Sequence, residues 1–125
     1  MRSFAAALFC AFVFAWPAFA DDEHDTCLKS AKADETRCGD EWIAREQKRL
    51  DEVWQQLAGM VEGDMAKALR DEQDAWNGFS RLACLFKKDP GFGGAAGPTG
   101  YHACRAELIA GRAEALRGYI SYIDN

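Results

Sequence analysis

Four cysteines, Cys27, Cys38, Cys84 and Cys104, bracket two long amphipathic stretches of this chain. In so short a sequence they constrain the fold more than any other feature, because covalent links exclude most arrangements of the segments between them. An even cysteine count in a small exported domain reads as disulfides. Four cysteines allow three connectivities. Cys27–Cys38 with Cys84–Cys104 is favoured, since both pairings are local and each closes over a turn-rich segment. The second encloses Lys87-Lys88-Asp89-Pro90 and the glycine-rich run from Gly91 to Gly100. Such a cross-link contributes on the order of 3 kcal/mol by restricting the unfolded chain. A zinc site is the weaker reading: no Cys-x-x-Cys pair occurs, and only His24 and His102 could assist.

Export is read from the first twenty residues. A basic start, Met1-Arg2-Ser3, precedes an uncharged apolar run from Phe4 to Trp16, and Pro17-Ala18-Phe19-Ala20 ends in a small-x-small cleavage pattern. Residues 1–20 are therefore expected to be a cleaved signal peptide that takes Cys10 with it. Residues 21–125 would form one periplasmic or secreted domain, with no stable membrane insertion. Losing Arg2 leaves 14 basic against 20 acidic residues, a balance of −6. That balance disfavours nucleic acid as a partner and suits a cationic one.

The rest is helical in pattern. Ile43, Leu50, Trp54, Leu57 and Val61 mark one face of a helix over Asp40 to Val61, with Asp40 as its cap. Met65, Leu69, Trp76, Phe79 and either Ala83 or Phe86 mark a second, from about Asp64 to Phe86, with Asp64 as cap. Tyr101, Cys104, Leu108, Ala115, Tyr119 and Tyr122 mark a third, from about Tyr101 to Tyr122, with Thr99 as cap. Gly111 and Gly118 inside it are expected to permit close helix–helix approach. A short helix spans about Thr26 to Ala33. No stretch alternates with period two over a strand's length. The expectation is an all-α fold: a small bundle of three long helices plus a short N-terminal helix, stapled by two disulfides. Trp54, Trp76, Phe79 and Tyr119 are assigned to the core, whereas Trp42, off the best stripe, is expected at the surface.

Catalytic readings find little support. Oxidised cysteines cannot act as thiol nucleophiles, and His24 and His102 have no serine or threonine partner beside them. Carboxylate pairs such as Asp71 with Asp74 and Glu107 with Glu114 are ordinary on solvated helix faces. Gly91-Phe92-Gly93-Gly94-Ala95-Ala96 fits the loose dinucleotide pattern, but no strand precedes it. The acidic run Asp21 to Asp25 reads as a solvated tail. No enzyme activity, metal or cofactor is expected.

The order Cys27, Cys38, Leu50-x-x-x-Trp54-x-x-Leu57, Gln73-x-x-Trp76 with Phe79, Cys84, Cys104 and Arg112-x-x-x-Leu116 resembles the N-terminal domain of LprI-type lysozyme inhibitors. The resemblance spans about residues 27 to 120. It implies a small exported helical domain with two local disulfides, in a family named for lysozyme inhibition. Two departures stand out. An aromatic-Arg-Asp run is common before the third cysteine, where this chain has Phe79-Ser80-Arg81, and tyrosine is common at the place of Trp54. The functional expectation is a binding protein that blocks lysozyme or another cationic cell-wall hydrolase. Lys87, Lys88, Phe92 and Trp42 are its candidate partner-binding residues. The alternative is a periplasmic structural or assembly domain with no lysozyme partner.

Overall fold

The computed structural model describes residues 21–125 apart from Ala31, so the expected signal peptide lies outside the described residues. Among the described residues four α-helices follow in order: α1 (Asp22–Leu28), α2 (Glu35–Ala58), α3 (Gly63–Leu82) and α4 (Tyr101–Ile123). Two 3-10 turns, at Leu85–Lys88 and Pro90–Phe92, begin the loop that returns the chain to α4. Among the described residues there is no strand, and none of the helices is long and apolar enough to cross a membrane. The all-α bundle and both local disulfides are as the sequence suggests. Cys27–Cys38 ties α1 to α2, and Cys84–Cys104 ties the end of α3 to the first turn of α4.

The bundle is built on α2 against α4. Leu50, Val53 and Leu57 of α2 pack with Ile109, Ala113, Leu116 and Ile120 of α4, and Val61 and Leu69 close this core at the α3 end. Burying each of the valine, leucine and isoleucine side chains contributes roughly 1.5–3 kcal/mol. A smaller cluster of Trp42, Ala103 and Ala106 continues the same seam toward α1.

The buried faces are rotated from those read in the sequence. On α2 the inward line is Cys38, Trp42, Glu46, Leu50, Val53 and Leu57. Trp42 is only 7 % exposed, which corrects its expected place at the surface, while Ile43 and Trp54 flank the seam half-buried. Glu46, a buried carboxylate that Arg49 pairs at 2.6 Å, sits mid-stripe and disguised it. On α4 the inward residues include Ala106, Ile109, Ala113, Leu116 and Ile120, about one position from the expected stripe. One position turns a helix by about 100°, so Tyr119 and Tyr122 face outward. The alanines pack inward without marking the face, and the tyrosines can keep their hydroxyls wet.

Helix starts differ as well. Asp34, not Asp40, caps α2 by accepting from the Arg37 N–H at 3.0 Å. Neither Asp64 nor Thr99 caps by side chain; Glu62 and Gly100 hold those positions, and the Thr99 hydroxyl instead donates to the Phe92 carbonyl at 3.0 Å. Gly111 and Gly118 have open space where a Cβ would stand, so they do not serve close packing. That role falls to Gly39, where a Cβ would lie 2.8 Å from His102 Cδ2 and closer still to Cγ. The acidic N-terminal run is α1 rather than a free tail. Asp21 caps it, Arg45 pairs with Asp21 at 2.8 Å and Glu23 at 3.1 Å, and the His24 ring stacks on Trp42 at 4.6 Å.

Candidate functional site

The loop between α3 and α4 is held at both ends. Cys84 adopts the left-handed backbone region at φ 75°, a conformation L-residues other than glycine rarely take, and the disulfide to Cys104 fixes it there. Within the loop, Asp89 accepts from the Gly91 N–H at 2.7 Å and its carbonyl accepts from Phe92 and Gly94. Gly94 and Ala95 carbonyls then accept from the first N–H groups of α4, those of Tyr101 and His102. The glycine-rich segment is thus folded on itself.

This anchoring presents an aromatic and basic surface. Phe92 is 55 % exposed and meets Phe86 edge-on at 5.2 Å. Phe79, Leu82 and Leu85 are also exposed in the same stretch of chain. Phe79 was expected in the core; α3 buries Leu69, Gln73 and Ser80 instead, which turns Phe79 to solvent. Lys87 is half-buried, and Lys88 places its ammonium 4.4 Å from the centroid of Tyr101, a cation–π contact. Lys87, Lys88 and Phe92 therefore share one loop, while Trp42 lies apart under α1. The helical spacing marks Phe86 only as an alternative core position, and its pairing with Phe92 has no local sequence signal.

The residues carrying the resemblance divide into core and network. Leu50, Leu57 and Leu116 are central in the core, with Trp54 against them. Gln73, Trp76 and Arg112 converge between α3 and α4. Arg112 is 9 % exposed; it donates to Gln73 at 2.9 Å and Glu72 at 2.6 Å, and its guanidinium carbon lies 5.9 Å from the Trp76 ring centroid. Arg81 is exposed and Ser80 is buried, the Ser80 carbonyl accepting from Arg105 of α4. The displaced arginine accordingly faces water, and Arg105 supplies the guanidinium at that turn.

Hollows flank this framework. An acidic cleft of about 300 Å³ lies over Trp42, rimmed by Asp21, Asp22, Glu23 and Glu107. Burial opposes the charge of Asp21, but hydrogen bonds from the His24 N–H and from Arg45, together with the Arg45 charge, outweigh it and hold the carboxyl below its ordinary value. An apolar groove of about 310 Å³ lies between Leu57, Val61, Met65, Leu69, Tyr119 and Tyr122. Among the described residues, no group of three or more His, Cys, Asp or Glu side chains is placed to hold a metal ion.

Nothing among curated proteins or solved structures matches the chain. The family described as "Lysozyme inhibitor LprI" matches residues 27–116, which include both disulfides and the Gln73–Arg112 network. The chain belongs to the LprI lysozyme-inhibitor family.

Proposed function

We propose that this protein is exported and binds a cationic cell-wall hydrolase of the lysozyme type, blocking its action through the loop from Lys87 to Gly100. Family membership supports the class of activity. The observation that carries the choice of surface is the disulfide-held loop with Phe86 and Phe92 exposed beside Lys87 and Lys88. Rigid aromatic anchors bind with little loss of side-chain freedom, and lysines beside them complement the carboxylates of a hydrolase cleft. The acidic remainder of the molecule draws a cationic partner from a distance. Two disulfides fit an oxidising compartment and hence export.

Turnover of lysozyme on cell-wall substrate, measured with increasing oxidised protein at several salt concentrations, tests this reading. Inhibition that weakens as salt rises is expected, because screening shortens the reach of the acidic surface. Unchanged turnover at low salt rejects it.

The same exposed apolar stretch suits an assembly domain, since such patches commonly mark protein interfaces. A defined envelope partner recovered by the protein, with no muramidase beside it, selects that reading.

A further inference from the structure

His102, the second residue of α4, is 5 % exposed, and both its ring nitrogens face acceptors. Nδ1 lies 2.6 Å from the Ala95 carbonyl oxygen and Nε2 lies 3.0 Å from Asp40 Oδ1. A neutral imidazole carries one N–H, and neither a carbonyl nor a carboxylate has a proton to offer. Both bonds are therefore made together only by the imidazolium. Ala95 belongs to the glycine-rich loop and Asp40 to α2, so one ring fastens the loop to the bundle. Gly39 leaves the room that the ring occupies.

We infer that His102 is a positioning residue for Gly93–Gly100, and that its protonation sets how firmly this part of the loop is held against α2. The inference bears on binding only through the reading of that loop as the recognition surface. Charged and titratable groups line the hollow that the ring borders. Asp40 and Glu35 come from α2; Asp21, His24 and Asp25 come from the α1 end; Glu107 comes from α4. Tyr101 meets the ring edge-on at 5.6 Å and carries Lys88 over its own face. The Ala95 carbonyl also accepts from the His102 backbone N–H at 3.0 Å, so the loop's link to α4 has a second tie. When the ring gives up its proton to solvent, its one remaining N–H cannot serve both acceptors, so either the Ala95 link or the Asp40 link opens and the relay that holds the loop against α2 is broken.

The experiment follows the His102 ring resonances and the amide exchange of residues 93–100 by NMR in the oxidised chain. The range is about pH 5 to 8, where imidazole side chains change charge. In the wild type, loop exchange corrected for its intrinsic pH dependence should rise about three- to tenfold as His102 deprotonates, the effect of losing one net hydrogen bond. Asp40→Asn should remove that pH response yet keep the loop protected, since a carboxamide can turn its NH₂ toward a neutral Nε2. Asp40→Ala should leave the loop loosened throughout. Asp40 is exposed, so these variants keep the core intact. Loop exchange that ignores the His102 titration, or an Asp40→Asn profile matching the wild type, overturns the clamp. No hydrolase is present, so failure here leaves the inhibition reading standing, and failed inhibition leaves the clamp standing.

Discussion

Arg112 of α4 donates from Nε to the Gln73 side-chain oxygen of α3 at 2.9 Å, joining residues 39 apart in sequence through a buried hydrogen bond. Around it the Arg112 guanidinium also reaches Glu72, whose carboxylate accepts from the Tyr119 hydroxyl at 3.2 Å. Leu69 is the one buried apolar side chain among the described residues of α3, with Ala66 and Trp76 packed half-buried against the core, and this polar network holds the middle of the helix. Arg112→Met should lower unfolding free energy by about 3 kcal/mol, because it leaves a buried amide oxygen without its donor. Gln73→Ala should cost less, about 1–2 kcal/mol, since Arg112 keeps Glu72. Urea unfolding of the oxidised variants measures both, and equal, negligible costs would show that the network is ornamental.

Opening Cys84–Cys104 by a Cys84→Ser, Cys104→Ser double substitution should destabilise the protein by about 3 kcal/mol. The loss should extend to the loop, because the left-handed turn at Cys84 no longer has its covalent hold. Thermal unfolding with intact Cys27–Cys38 reads the first effect, and amide exchange in residues 85–100 reads the second. A double variant as stable as the wild type contradicts the argument.

Three helical glycines should respond in opposite directions. Gly39→Ala drives a methyl group into the His102 ring and should cost roughly 2 kcal/mol, the range for overpacking a tight site. Gly111→Ala and Gly118→Ala meet open space inside an exposed helix face and should each stabilise by about 0.5–1 kcal/mol. Denaturation midpoints of the three single variants decide the sign.

Acid should release α1 through Asp21. Its carboxyl is held below the ordinary carboxylate value, so the folded state gains stability that is present above the unfolded-state value and is lost as pH falls through the folded one. The His24 amide, which donates to Asp21 at 2.8 Å, should shift through that acid transition by NMR. Asp21→Asn should remove the transition; an unchanged acid profile in that variant rules out Asp21 as its origin.

For inhibition, Phe92→Ala should weaken the inhibition constant by an order of magnitude or more, the scale of an aromatic hot spot at about 2 kcal/mol. Lys87→Glu with Lys88→Glu should weaken it further at low salt than at high salt. Trp42→Phe should lower stability while leaving inhibition intact, because Trp42 is covered by His24 and α1. A Trp42 variant that folds and loses inhibition would move the binding surface away from the loop.

Cysteine spacing and helical periodicity alone determined the class of fold, the number of long helices, both disulfides and the family, since these depend on chain-local patterns. Which way each helix turns was decided in three dimensions. The α4 face is built from alanines, whose small side chains carry little periodic signal, and the α2 face includes Glu46, which a stripe of apolar residues passes over. The surface followed the same logic: Phe79 and Tyr119 looked like core because they are large and apolar, yet Gln73 and Arg112 took the inward positions. Contacts such as His102 with Asp40, 62 residues apart, leave no trace in local sequence. The four cysteines could name the ends of the framework; only the packing between them fixed which side chains it shows to a partner.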